Sequence, residues 1–412
     1  MAYPRPVGER ARIVVAHAGF VLVGIAASGG GVLIPAQLSD YGIDRTTIGL
    51  MFLAFSAGFV TSAVASGSLT HRFGQRAYLV AGASAMLLAW AAVGLRPPFV
   101  AFIALQLLAG LGGGALEAAL NTHLSGLDRP TVLLNSLHAF FGVGALLGPV
   151  IAGAVLSWGL RWTAFYLFFA ALLVPLVIAL VLLFPRAAGP DPAGGADAGA
   201  APRPRLGQAL RLRALWLAAG FLALYVGLEI SLGNWGFSFL TEVREQPILL
   251  ASWTMSGYWA GLTAGRLVLA RLADRAGLSL VGLIASCLAG AAVGSAAVWL
   301  VPSSIVATAG LVLVGFCLGP LFPTVIAVVP RLAPPHLAGT AIGVLDGCSA
   351  AGGALAPFLA GAVAQGLGIW SLLPYGLVLT GLLALAWRAI ARRLGQPVPG
   401  PAVPEPAAGG TA

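Results

Sequence analysis

The chain has 412 residues, 59% hydrophobic and 8% charged, against about 25% charged in a soluble domain; with a mean hydropathy of +0.95 this excludes a soluble fold and indicates a polytopic membrane protein. The formal charge of +9 is carried by arginine, because the sequence contains no lysine. The arginines fall between apolar segments, so they read as topology signals rather than as a nucleic-acid surface.

Apolar stretches of roughly 20 residues, the length that spans a bilayer, are predicted at about 13–36, 46–68, 77–95, 98–124, 132–156 and 162–184. A second set is predicted at about 212–240, 248–270, 279–300, 303–330, 338–365 and 370–391. Arg5, Arg10 and Arg12 precede the first run without the short core and small-residue cleavage site of a secretory leader. The predicted organisation is a six-helix half over 1–184, a flexible Ala/Gly/Pro-rich cytoplasmic linker over 185–210, a second half over 211–392 and a disordered cytoplasmic tail over 393–412. With the N-terminus inside, 17 arginines fall on the inner side and 4 on the outer (Arg45, Arg96, Arg161 and Arg244). The predicted location is therefore the plasma (inner) membrane, multi-pass, with both termini cytoplasmic. Cys287, Cys317 and Cys348 all lie in apolar segments, with no metal-ligand spacing.

The two halves repeat. Residues 138–153 and 346–361 align without gaps at an offset of 208, superposing Gly144 on Gly352 and Pro149 on Pro357. At an offset of 203, Leu69, Arg72 and Gly74 match Leu272, Arg275 and Gly277; at 205, Gly110, Gly114 and Leu116 match Gly315, Gly319 and Leu321. The fold class is thus an all-α integral membrane protein of twelve transmembrane helices in two pseudo-symmetric halves, with a solute site expected between them.

Three acids fall inside the predicted spans: Glu117, Glu229 and Asp346. Each must be protonated, paired or facing water. Glu117 shares one face of the fourth helix with Gly110, Gly114 and Asn121, and its repeat partner is Phe322. It reads as a proton-coupling or substrate-contacting group, or else as a fixed structural hydrogen bond. Asp346 aligns with His138, so helices 5 and 11 each carry one titratable group at the same depth. Either the two meet across the halves in a pH-sensitive contact, or each is hydrogen-bonded within its own half.

On the seventh helix Glu229 is followed by Asn234 and Trp235, a carboxylate, an amide and an indole that suit a polar, hydroxyl-rich ligand; Trp235 reads equally as an interfacial anchor. Asn121 and Tyr258 join them as substrate-side candidates. Arg266 either neutralises an acid, binds an anion, or snorkels to the interface. Gly29-Gly30-Gly31 and Pro35 are predicted to loosen the first helix, since three glycines cost about 2–3 kcal/mol relative to alanine and proline removes a ladder bond. Pro175, Pro320 and Pro323 are predicted to kink the sixth and tenth. His17 reads as packed.

Residues 67–76 (Gly67-Ser68-Leu69-Thr70-His71-Arg72-Phe73-Gly74-Gln75-Arg76) resemble the G-x-x-x-D-R-x-G-x-R loop of the major facilitator superfamily, with His71 where the pattern has aspartate. The repeat copy keeps Asp274, Arg275 and Gly277. The resemblance implies that these residues, with Arg266 grouped beside them, form gating loops that latch the cytoplasmic helix ends in the outward-open state. Gly114, Glu117, Ala118 and Asn121, with the run from Tyr258 to Arg266, are similar to the fucose-permease branch of proton-coupled sugar symporters. There a helix 1 aspartate works with the helix 4 glutamate; helix 1 here carries His17, Ser28 and Gln37 and no acid in its span.

The resemblance implies a secondary transporter working by alternating access. The expected reaction is proton-coupled symport of a small polar solute, a sugar or related compound. A proton-driven drug or metabolite exporter of the same fold is the alternative, and a non-transporting polytopic membrane protein is a third reading. No enzyme activity, cofactor or metal site is expected. The partners expected are a small-molecule solute, protons and the lipid bilayer, with no nucleic acid, and the protein is expected to be a monomer.

Overall fold

The structure, a computed structural model, describes residues 7–185, 206–332 and 337–394, so most of the expected linker and tail lies outside the described residues. Its long helices are α1 (Val7–Tyr41), α2 (Arg45–Phe73), α3 (Gln75–Gly94), α4 (Phe99–Ser125), α5 (Pro130–Ser157) and α6 (Thr163–Leu183). After a single turn at Leu206–Ala209 come α7 (Arg213–Glu242), α8 (Ile248–Arg275), α9 (Leu280–Leu300), α10 in two pieces (Ser304–Leu318 and Leu321–Leu332), α11 (Ala338–Leu367) and α12 (Leu372–Leu394). The regular structure among the described residues is entirely helical.

Among the described residues, eleven helices are long and apolar enough to cross a membrane. The exception is α8, whose Ser252, Thr254, Ser256, Tyr258 and Trp259 lower its hydropathy; all five are buried. Their hydroxyls turn inward to protein partners. Ser256 donates to the Leu146 carbonyl at 2.7 Å, and Thr254 meets Thr308 at 2.8 Å.

The repeat read from sequence reappears in the helix contacts. Gly110 of α4 lies so close to α2 that a Cβ there would collide with the Phe55 carbonyl, and Gly315 of α10 stands in the same relation to Tyr258 of α8. Gly144 of α5 presses on Val21 of α1 as Gly352 of α11 presses on Ala223 of α7. With no hydrophobic drive between helices inside lipid, such small-residue contacts provide the dispersion that holds them together. Gly110→Val is expected to cost about 1–3 kcal/mol, because the obstructing atoms are backbone and cannot rotate away. A lowered thermal unfolding midpoint of the purified protein checks this.

Two of the three expected disturbances leave the helix unbroken. The Gly29–Gly31 run does not break α1, which is continuous through Pro35. Its glycines serve close approach instead: a Cβ on Gly31 would stand 2.6 Å from the Asn234 Cα, and one on Gly29 would enter the Phe165 ring. The predicted disturbance of the tenth helix is present, as α10 is interrupted between Leu318 and Leu321, where Gly319 and Pro320 sit. Helix α6 runs through Pro175 as one helix.

The halves are sealed at the end of the bundle that carries the α1–α2 loop. There Arg45 forms an ion pair with Glu242, and its backbone N–H donates to Gln365 Oε1 at 3.0 Å. Trp235, held within the second half by donating to the Pro357 carbonyl at 2.8 Å, meets Phe52 of α2 edge-on with ring centroids 6.2 Å apart, and Gly153 of α5 abuts Ser252 of α8. Asp44 caps α2 by accepting from the Thr47 N–H at 2.7 Å, which holds its carboxyl below the usual range. The cap is therefore formed near neutral pH and is lost as pH falls through that depressed value. At the opposite end the halves diverge, leaving His138, Phe140, Ile342 and Asp346 exposed.

Candidate functional site

A cavity of about 350 Å³ lies between the halves. Helices α1, α2, α3, α4 and α6 wall it on one side, and α7 and α11 on the other. Glu117 lines it and is half-buried, with no hydrogen bond or ion pair to protein among the described residues. No other Asp or Glu, and no Arg or His, lines the cavity among the described residues. Asp346, on α11 across the gap, is exposed and near enough for its charge to act on Glu117.

Of the five substrate-side candidates, only Asn234 faces this cavity, its Nδ2 donating to the Ile230 carbonyl at 3.0 Å. Glu229 is 7% exposed and pairs at 3.5 Å with Arg266, which also reaches the Tyr225 hydroxyl at 3.4 Å. Tyr258 is fully buried and donates to the Glu229 carbonyl at 3.0 Å. Trp235 is fully buried outside the cavity lining, bonded to the Pro357 carbonyl and packed edge-on against Phe52. Asn121 is half-buried, one turn beyond Glu117 and outside the cavity lining. Glu229, Arg266, Tyr225 and Tyr258 thus form a buried polar network inside the second half. The reason is electrostatic: a carboxylate and a guanidinium at membrane depth are cheapest when they neutralise each other.

His138 and Asp346 form no ion pair with each other among the described residues. The His138 ring stands edge-on to Phe20 at 5.5 Å, and the charge that acts on it is Arg266. Divergence of the halves at this end keeps α5 and α11 apart. His17 is packed as expected, bridging the Ile13 carbonyl at 2.6 Å and the Ser136 hydroxyl at 2.7 Å.

Both gating loops are exposed in this conformation. Gly74 has φ 85° and its N–H closes α2 on the Thr70 carbonyl at 2.9 Å; Gly277 has φ 65°. Only glycine enters that region without strain, which explains both positions. Gly67, His71, Arg72, Asp274 and Arg275 are exposed, and Arg76 is half-buried. The Arg72 guanidinium lies 5.2 Å from the Phe73 ring centroid.

Sequence reasoning missed three lining residues: Gln106, Trp90 and Tyr166. Gln106 was detectable, since it precedes Gly110 by one turn on the stripe that carries Glu117. Trp90 and Tyr166 carried no signal, because an aromatic side chain within a span reads as packing.

The sequence profile of the Major Facilitator Superfamily matches residues 16–357 and 246–411. The chain belongs to the major facilitator superfamily. Bypass of stop codon protein 6 of Saccharomyces cerevisiae is 26% identical over 411 residues, covering 89% of this chain and 80% of that protein. The glucose/mannose transporter GlcP of Bacillus subtilis is 22% identical over 355 residues, covering 84% and 86%. The fold superposes on a bacterial homologue of the human lysosomal transporter Spinster, crystallised inward-facing and unoccupied. The TM-score is 0.79, with 13% identity and 96% and 100% of the two chains covered. The chain is therefore a multi-pass major facilitator transporter of small solutes, a family of transporters rather than enzymes.

In a major facilitator protein the seal at the α1–α2 end is one of two alternating gates. Arg45→Ala removes a half-exposed ion pair of about 0.2–1 kcal/mol. It is expected to shift the population about 1.4- to fivefold toward the conformer open at that end. The reaction of a Ser56→Cys thiol with reagent supplied on each side measures the shift.

Proposed function

We propose that this transporter couples the movement of a small, uncharged polar solute to protons, with Glu117 as the proton-carrying group. The observation that supports it is that Glu117 is the one carboxyl side chain lining the cavity among the described residues. A second carboxylate, Asp346, is exposed on α11 of the other half within electrostatic range of Glu117. Two like charges resist approach, so closing the open end is favoured once a proton neutralises Glu117, and a conformational equilibrium responds to that difference in the ordinary way. The coupling uses no helix 1 acid in the cavity, unlike the branch this chain resembles.

Arginine counting supports a cytoplasmic position for the open end, and on that reading the conformer faces inward in the inner membrane. The solute class read from the resemblance is a sugar or related compound. Six side chains with hydrogen-bonding groups line the cavity (Ser56, Trp90, Gln106, Glu117, Tyr166 and Asn234), and these suit a solute with few polar groups. Antiport in the export direction would use the same carboxyl, and the aromatic lining is the observation that favours it. Reconstituted into liposomes under an inward proton gradient, the protein is expected to concentrate labelled solute. Uptake that stops at equal concentrations would overturn the symport reading.

A further inference from the structure

We propose that the cavity wall built by the N-terminal half is a ring-binding subsite. Its ligand is an uncharged planar heterocycle with a hydrogen-bond donor beside an acceptor on one edge. The inference deepens the proposed function and rests on it, because it concerns the same cavity.

Trp90 of α3 and Tyr166 of α6 both line the cavity and are stacked, with ring centroids 5.0 Å apart and planes at 22°. Each is 4% exposed. The Tyr166 hydroxyl accepts from Gln37 Nε2 at 3.0 Å, which fixes the ring. The Trp90 Nε1–H is buried without an acceptor, and Gln37 Oε1 without a donor. Gln106 of α4, 5% exposed, lines the cavity with its amide free of protein partners among the described residues. Buried polar groups are normally paired, so the two that line the cavity, the Trp90 N–H and the Gln106 amide, are groups that a ligand completes.

The shape of the unpaired groups selects the ligand. A carboxamide presents a donor and an acceptor side by side in one plane, and it pairs with an edge that presents the complement, as glutamine does with an adenine edge. Seven of the nineteen lining residues are aromatic, and an aromatic face stacks on a flat π ring whatever its substituents.

Other solutes fit less well. No arginine lines the cavity, since Arg266 is turned to Glu229; a carboxylate ligand would enter beside Glu117 without a counter-charge. A hexose carries hydroxyls around its whole ring and would leave most of them against phenylalanines. The volume, about 350 Å³, is near the lower end of ligand pockets, about 300–1,000 Å³, so the ligand is small.

The test is equilibrium binding to the purified full chain in detergent, using uracil, hypoxanthine and nicotinamide against D-glucose and benzoate. At least one heterocycle is expected to bind tenfold or more tightly than glucose and benzoate. Gln106→Leu is expected to weaken that binding tenfold or more. Trp90→Phe, which keeps a ring but removes the N–H, is expected to weaken it severalfold at an unchanged unfolding temperature without ligand. Binding of glucose or benzoate as tight as that of the best heterocycle would overturn the proposal, as would the absence of binding by all three heterocycles or wild-type affinity in Gln106→Leu. Binding in detergent uses no proton gradient. A failure here is thus separate from a failure of proton coupling, which shows as binding without gradient-driven uptake.

Discussion

Replacing Glu117 with glutamine is expected to abolish gradient-driven accumulation while sparing solute exchange. One pH unit is worth about 1.4 kcal/mol per proton, a tenfold concentration ratio for one proton per solute. Wild-type proteoliposomes with a lumen one unit more alkaline than the medium should therefore accumulate solute about tenfold, and the variant should stop at a ratio of about one. Glutamine keeps the size and hydrogen-bonding capacity of the side chain but holds no titratable proton. It also removes the repulsion with Asp346, so the empty and loaded carriers both reorient. Counterflow of labelled solute, which needs no gradient, is the control for folding. Accumulation above equilibrium by Glu117→Gln would show that the proton travels elsewhere.

Arg266→Ala is expected to destabilise the protein by about 3–5 kcal/mol, because it leaves the Glu229 carboxylate buried and unpaired. Glu229 is 7% exposed, and its ion-pair partner is this arginine at 3.5 Å. Joint replacement, Glu229→Gln with Arg266→Gln, should recover most of the loss, since a neutral pair needs no counter-charge. Thermal unfolding of the two variants separates the explanations. Wild-type stability in Arg266→Ala would mean that the arginine is free to meet a ligand, as the sequence also allowed.

The architecture was legible because membrane spans are written in composition and the halves in repeated glycines. Gly110 and Gly315, matched at an offset of 205, do make equivalent contacts. The site was legible only in part. Glu117 stood out because an acid in an apolar helix is costly, and its place in the cavity follows from that cost. Glu229, costly for the same reason, is answered by Arg266 from the neighbouring helix, and no spacing in one helix reveals a partner in another. Trp235 and Tyr258 read as substrate-side candidates, Trp235 equally as an interfacial anchor, because an indole and a phenol suit several roles; in this conformer both are buried, bonded to the Pro357 and Glu229 carbonyls. His138 and Asp346 share a depth in the sequence repeat, yet equal depth does not bring helices together in a conformer that is open at that end.

The buried network and the cavity divide the work of the polar residues. The second half uses its carboxylate–arginine pair to hold α7 against α8, and the cavity keeps one unpaired carboxyl for exchange with water. A transporter that couples through a single group in this way is expected to move protons and solute in fixed proportion.

The most direct test of that coupling is lumenal pH in proteoliposomes loaded with a pH-sensitive dye, recorded as uracil, hypoxanthine, nicotinamide and D-glucose are added outside with no imposed gradient. Each solute that enters should acidify the lumen in the wild type and leave it unchanged in Glu117→Gln. Entry of a solute with no pH change, or with alkalinisation, would contradict proton symport through Glu117.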